Sequence, residues 1–188
     1  MTKALALLVL LCLALPARAA WDIEQLMHDL ARNKGGKVRF VEKKYIALLD
    51  RPLVSSGELG YFPPDRLEKR TLLPKPDVMV LDRDTLSIER GKQKLSLRLA
   101  DQPQALAFVD SIRGTLAGDR PALERSYALY LTGSEERWTL SLLPSDPRIA
   151  ALVTRITIGG SRDRVRSVEY LQADGDRAVM TIEPLETK

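Results

Sequence analysis

Few side chains in this sequence could carry out catalysis. There is one histidine, His28, and one cysteine, Cys12, which lies in an apolar run near the amino terminus. Nucleophilic catalysis by cysteine or serine ordinarily needs a histidine base, and zinc sites need several His or Cys ligands. His28 lies between Met27 and Asp29, where the pattern favours a helix surface. We therefore predict that the protein is not an enzyme and that it uses no cofactor or metal.

Three short motifs that could bind ions are better explained as turns. Asp82-Arg83-Asp84 could supply two carboxylates to a metal, but it connects two predicted strands. Asp174-Gly175-Asp176 has the composition of a hairpin turn. Gly159-Gly160 precedes a predicted strand and not a helix, so it lacks the helix amino terminus that phosphate-binding loops use. The sequence therefore predicts turns at all three positions.

The amino terminus has the three parts of a secretory signal peptide. Lys3 is followed by an apolar run of about twelve residues, then by Pro16 and the small-residue segment 17–20. A membrane span needs about 20 apolar residues, so this run is short for one. We expect removal of residues 1–19, or cleavage one residue later, and an exported domain formed by 20–188. The alternative is an uncleaved amino-terminal anchor.

The exported part has nearly balanced charge and no cysteine. Without Lys3 and Arg18 the formal net charge of +4 falls to about +2, which gives no argument for nucleic acid as a partner. No disulfide can form there, so the fold must depend on its hydrophobic core. The length and the lack of a linker or repeat predict one domain.

Three segments have the signals of amphipathic helices. Asp22 is a good cap with Gln25 three residues later, and Gly35-Gly36 ends the first helix. A short helix is predicted after Asp146-Pro147. A longer one is predicted over residues 103–116. Its apolar stripe consists of Ala105, Phe108, Val109, Ile112 and Leu116.

Most of the remaining chain alternates between apolar and polar residues. This period of two over many segments indicates a sheet with one face turned inward, and the short intervals between segments require antiparallel neighbours. The inner face must also bury the helix stripes, so the sheet should curl around them. We predict about eleven strands, at residues 37–49, 53–61, 66–73, 77–81, 85–90, 93–99, 126–133, 136–143, 154–159, 165–173 and 177–183.

Apolar residues are thus abundant while reactive groups are lacking. A curled sheet with helices over its mouth provides the concave apolar lining that a lipid carrier needs, because each buried methylene contributes about 0.8 kcal/mol. The alternative is that these residues fill an ordinary core.

Several motifs resemble the LolA family, periplasmic carriers that move lipoproteins from the inner to the outer membrane of Gram-negative bacteria. They include Val38–Glu42, Ser56–Tyr61 with a proline turn after it, Trp138–Pro144 and the closing hairpin at Asp174-Gly175-Asp176. The resemblance implies the fold class: α+β and mainly antiparallel β, a single strongly curved, incomplete β-barrel with amphipathic helices as a lid.

The resemblance also implies a function and a binding site. The protein would be a periplasmic monomer that takes acylated cargo from an inner-membrane exporter to an outer-membrane acceptor, with helices that move aside during loading. Two alternatives remain open: a lipid-sensing or lipoprotein-sensing interaction module, and a carrier of a non-protein lipid such as an aryl polyene or glycolipid. The cavity residues implied are Phe40, Leu59, Tyr61, Leu67, Val78, Val80, Leu86, Ile88, Phe108, Val109, Ile112, Leu140 and Leu142.

Overall fold

The computed structural model describes residues 21–185, with the side chains of residues 103, 104 and 107 excepted. The helices are α1 (Ile23–Ala31), α2 (Pro103–Ala117), α3 (Arg120–Glu124) and α4 (Pro147–Ala150), and a 3₁₀ turn at Leu99–Asp101 precedes α2. The strands β1 to β11 are Gly36–Tyr45, Leu53–Phe62, Arg66–Leu73, Asp77–Asp82, Thr85–Arg90, Gln93–Arg98, Tyr127–Ser134, Arg137–Pro144, Val153–Ser161, Arg164–Gln172 and Arg177–Pro184. Among these described helices, none is long and apolar enough to cross a membrane.

All eleven strands form one antiparallel sheet. Its order is β6-β5-β4-β3-β2-β1-β11-β10-β9-β8-β7, so β1 and β11 pair in the middle although they lie at opposite ends of the described chain. In the described part of the chain, no pairing joins the edge strands β6 and β7, and the sheet therefore curves without closing. The predicted fold class, an incomplete antiparallel barrel with helices, is confirmed.

Local capping explains where the helices begin and end. The Asp22 carboxylate accepts a hydrogen bond from the Gln25 amide at 2.9 Å at the start of α1, as predicted. Helix α2 ends at Gly118, which has a φ of 64°. A side chain at Gly118 would collide with the Met27 carbonyl oxygen, so the end of α2 packs directly on α1.

Helix α3 was not predicted from the sequence. Asp119 caps it by accepting a hydrogen bond from the Ala122 amide at 2.9 Å, and Pro121 lies in its first turn. The sequence does contain a signal for this helix, a capping aspartate followed closely by a proline, and the same combination identified α4. The helix is too short for apolar periodicity to reveal it.

The prediction of a turn at Gly159-Gly160 was wrong. Both glycines lie inside β9, and the turn follows at Arg162, where φ is 52°. The reason is packing: a side chain at Gly160 would collide with the indole of Trp138 on β8. Asp82-Arg83-Asp84 and Asp174-Gly175-Asp176 do connect strands, and over the described residues no group of three or more potential ligands could hold a metal ion.

The buried core occupies only part of the concave face. Helices α1, α3 and α4 cover the inner side of β1 and β7–β11, whereas β5 and β6 contain no buried residue. The inner face of β2–β6 lies outside the cover of these three helices, and a cavity remains there beneath α2. The core cluster consists of Leu26, Met27, Leu30, Phe40, Leu123, Tyr127, Trp138, Leu140, Leu142, Ile149, Ile156, Ile158, Val168 and Met180.

Candidate ligand-binding site

A large cavity lies between α2 and the concave face of the sheet. Its volume is about 1020 Å³, at the upper end of the roughly 300–1,000 Å³ that ligand pockets usually have. The sheet contributes a mostly apolar floor from both halves of the chain. The apolar side chains of this floor are Val38, Leu59, Tyr61, Leu67, Met79, Leu81, Leu86, Ile158, Val165, Val168, Met180 and Ile182.

Helix α2 forms the roof of this cavity. Phe108, Val109, Ile112 and Leu116 follow the spacing of one helix face, and all four line the cavity. The Phe108 ring packs edge-on against Tyr170 of β10, with 5.2 Å between the ring centres. On the other side, the Arg113 guanidinium donates a hydrogen bond to the Arg83 carbonyl at 2.9 Å. The helix is thus attached to both halves of the sheet.

The structure brings seven of the thirteen predicted site residues into this cavity. They are Leu59, Tyr61, Leu67, Leu86, Phe108, Val109 and Ile112. Their contact with a ligand stays a prediction, because the structure contains no ligand.

The other six do not line the cavity. Phe40, Leu140 and Leu142 are 2%, 0% and 0% exposed and belong to the core, because α1, α3 and α4 cover their part of the sheet. On β4 the cavity side chains are Met79 and Leu81, one position away from the predicted Val78 and Val80. Ile88 pairs with Met79 but lies outside the cavity lining. Alternation alone does not determine which face of a strand turns inward.

Several lining residues were missed at the sequence level. Met180 and Ile182 belong to a segment whose alternation is visible in the sequence, so they could have been found. Val165 and Val168 could not have been found from alternation. They are three residues apart, and this spacing fits one face of a strand only where a β-bulge adds a residue.

A buried polar cluster interrupts the apolar floor. The side chain of Glu42 is only 2% exposed and accepts hydrogen bonds from Lys69 Nζ at 2.8 Å and the Tyr170 hydroxyl at 2.9 Å. The Ser55 hydroxyl is 3.3 Å from the same carboxylate. Lys69 and Tyr170 both line the cavity, and the Lys69 ammonium also lies 4.9 Å from the centre of the Phe40 ring.

The cluster keeps Glu42 ionised and Tyr170 protonated at neutral pH. Burial alone would raise the pKa of Glu42, but the hydrogen bond and charge of Lys69, the charge of Lys44 and the Tyr170 hydroxyl together lower it. Burial, the nearby Glu42 charge and their hydrogen bond raise the pKa of Tyr170. Tyr170 therefore remains a hydrogen-bond donor beneath the Phe108 ring of α2.

We expect Glu42→Gln to lower the free energy of unfolding by about 1–3 kcal/mol at neutral pH, because Lys69 loses its charged partner inside the cavity. The folded-state pKa of Glu42 lies below its ordinary value of 4.5, so its contribution is complete above that pH and is lost as pH falls through the lower folded pKa. Urea unfolding between about pH 3 and 7 should show that the difference between wild type and variant shrinks in acid.

Glu89→Gln is the matched control for this prediction. Glu89 also pairs with a lysine, Lys94, at 2.7 Å, but its side chain is 50% exposed. We expect the control to change stability by less than about 0.5 kcal/mol. Equal losses for the two variants at neutral pH would contradict a special role for the buried cluster.

An open, curved antiparallel sheet with a helix across an apolar cavity defines a class of ligand-binding half-barrels. Within that class, this chain belongs to the family described as outer membrane lipoprotein carrier protein LolA-like, whose sequence profile matches residues 14–182. The resemblance predicted from the sequence motifs is confirmed. No curated protein matches the sequence significantly.

Solved structures with similar folds share little sequence with this chain. A LolA superfamily protein from Nitrosomonas europaea is 8% identical, with 90% of this chain and 96% of that chain covered and a TM-score of 0.44. A DUF1329 family protein from Desulfovibrio piger is 11% identical, with 86% of this chain and 89% of that chain covered and a TM-score of 0.45. In the Pseudomonas aeruginosa MucA/MucB complex the matching chain is 14% identical. The match covers 89% of this chain and 59% of that chain, with a TM-score of 0.46.

Proposed function

We propose that this protein is a periplasmic carrier that binds the acyl chains of a lipoprotein or lipid and moves them from the inner to the outer membrane. The observation that carries the proposal is the apolar cavity of about 1020 Å³ between α2 and the concave face of the sheet, which α1, α3 and α4 leave unfilled. Each methylene group that enters this cavity gains about 0.8 kcal/mol relative to water. Membership of the LolA-like carrier family supports the same function.

Loading requires α2 to move, and its two ends are held differently. Its carboxyl end packs through Gly118 on the backbone of α1. Nearer its start, the helix is held by the Phe108 contact with Tyr170, which an acyl chain could replace with another apolar contact. We therefore assign the opening movement to the amino-terminal half of α2, with Gly118 as the fixed end.

The proposal includes export and two partner proteins. Residues 1–19, which lie outside the described residues, would be the signal peptide, and 20–188 would work as a monomer in the periplasm. An inner-membrane exporter would load the cavity, and an outer-membrane acceptor would empty it. Binding without catalysis fits the described residues, in which the one histidine, His28, is exposed on α1 away from the cavity.

Two measurements test the carrier function. First, the full chain is expressed with its leader in a Gram-negative host, purified from the periplasm and extracted with solvent for mass spectrometry. We expect bound acylated molecules, and their masses separate a lipoprotein from an aryl polyene or a glycolipid. Absence of bound lipid, together with no binding of a fluorescent fatty acid, contradicts the proposal.

Second, the loaded protein is mixed with acceptor vesicles. A carrier should deliver labelled cargo to the vesicles at a rate that increases with protein concentration. A sensing module should retain its cargo, so retention in the presence of acceptor membranes would favour that alternative over transport.

A further inference from the structure

One end of the cavity carries an excess of positive charge. The cations there come from two segments: the α1–β1 loop with the start of β1, and the start of β10. They are Arg32, Lys34, Lys37, Arg164 and Arg166. Asp163 and Glu183 line the same end, and so does Glu68, which already pairs with Arg66 at 2.7 Å, so the cations remain in excess. We call this region the basic mouth.

A specific contact holds the two segments of the basic mouth together. The Asn33 side-chain amide donates a hydrogen bond to the Asp163 carbonyl at 2.9 Å, and its oxygen accepts one from the Gly35 amide at 2.8 Å. The α1–β1 loop is therefore attached to the β9–β10 turn. This attachment places cations from distant parts of the sequence around one opening.

A β-bulge turns Arg166 toward the cavity. Val165 pairs with Gly160 and Ser167 pairs with Gly159, which leaves Arg166 as the extra residue of β10. Val165 and Arg166, on either side of this irregularity, both line the cavity. Bulges commonly re-aim a side chain at a functional site.

The cations of the basic mouth have no anionic partner in the part of the chain that the structure describes. Among residues 21–185, none of the five lies within 4.0 Å of a carboxylate oxygen, and none donates a side-chain hydrogen bond to another described residue. Arg162, two residues before Arg164, instead pairs with Glu136 at 3.2 Å. Arg166 is half-buried at the cavity, whereas Arg164 is exposed.

We propose that the basic mouth binds the phosphate-bearing headgroup of a lipid whose acyl chains occupy the cavity. Arginine presents a planar fork of donors that matches phosphate oxygens, and the excess charge favours an anion over an uncharged headgroup. The proposal rests on the proposed lipid-carrying function and specifies its cargo as an anionic lipid. The acyl chains would supply most of the binding affinity, and the basic mouth would supply selectivity for an anionic headgroup.

The test compares fluorescent phosphatidic acid with the corresponding fluorescent diacylglycerol. The two probes have identical acyl chains and differ only in the phosphate group. Wild-type protein should bind phosphatidic acid at least about tenfold more tightly, and added salt should reduce this preference. The variant R164Q/R166Q should lose the preference while its affinity for diacylglycerol stays unchanged. K34Q/K37Q, at two exposed positions before and at the start of β1, should reduce the preference without disturbing β10.

Arg155→Gln is the matched control, because Arg155 is exposed on β9 and does not line the cavity. It should keep the full preference, and thermal unfolding verifies that every variant is folded. Equal wild-type affinity for both probes would overturn the headgroup site and leave the carrier function intact. Failure to bind either probe would instead count against the carrier function itself.

Inorganic phosphate forms the second arm of the test. Calorimetry should detect no comparable binding of phosphate alone, because phosphate lacks the chains that fill the cavity. If phosphate binds as tightly as phosphatidic acid, the basic mouth is a site for free phosphate and the headgroup assignment fails.

Discussion

Replacing Val109 with aspartate is expected to weaken acyl-chain binding by about 100-fold and to leave the protein folded. Val109 is half-buried and lines the cavity from α2, but it is not among the described side chains that pack against the core cluster. An entering acyl chain would strip water from the new carboxylate, and the corresponding loss of about 2.7 kcal/mol is modest for burying an unpaired charge. Titration with a fluorescent fatty acid measures the affinity.

Two variants on the same helix make this result interpretable. Ala105→Asp introduces the same charge at an exposed position of α2 and should bind like wild type. Phe108→Asp should lose both affinity and thermal stability, because Phe108 contacts Tyr170 and packs against the core cluster. Wild-type affinity in V109D would mean that lipid does not bind beneath α2.

The second large effect is expected for Trp138→Ala, which should lower the free energy of unfolding by about 3–5 kcal/mol. Trp138 is 1% exposed, its ring lies against Gly160, and its indole nitrogen donates a hydrogen bond to the Arg162 carbonyl at 2.9 Å. The substitution removes these contacts and leaves a cavity between β8 and β9. Urea unfolding, monitored by far-ultraviolet circular dichroism, measures the loss.

Leu48→Ala provides the comparison for this loss. Leu48 is 94% exposed, so its removal should change stability by less than about 0.5 kcal/mol. Gly160→Ala should also destabilise the protein, because the added methyl group meets the Trp138 ring and the backbone at Arg164. A loss below about 1 kcal/mol for W138A would contradict the view that this packing holds β8 and β9 together.

The core and the cavity share one continuous apolar surface, and this arrangement has a functional consequence. Ile158, Val168 and Met180 belong to the core cluster and also line the cavity. A bound chain would therefore contact the residues that stabilise the fold. If the carrier function holds, loading should raise the temperature of unfolding in proportion to ligand affinity and concentration.

Much of the secondary structure could be predicted because its signals are local. Alternation and turn residues located all eleven strands to within a few residues, caps located α1 and α4, and an apolar stripe located α2. Two departures from the predicted strands depend on the folded structure. The first strand ends at Tyr45 and not at residue 49. Gly160 lies in a strand where the Trp138 ring leaves no room for a side chain.

The site was less predictable, because lining a cavity is a property of the whole assembly. Leu86 and Leu140 have the same alternating surroundings in the sequence, but only Leu86 lines the cavity. Leu140 is fully buried because α1 and the short helices cover its strand, whereas the β5 face has no such cover. The bulge that brings Arg166 to the basic mouth likewise depends on pairing between β9 and β10.

The sequence by itself thus determined that the protein has an antiparallel sheet and three of the four α-helices, and that it belongs to the LolA-like family. Only the tertiary structure decided where the concave face is filled and where it stays open. The physical reason is that alternation only divides the side chains of each strand between two faces. The packing of helices on one face decides whether a side chain there becomes core or cavity lining.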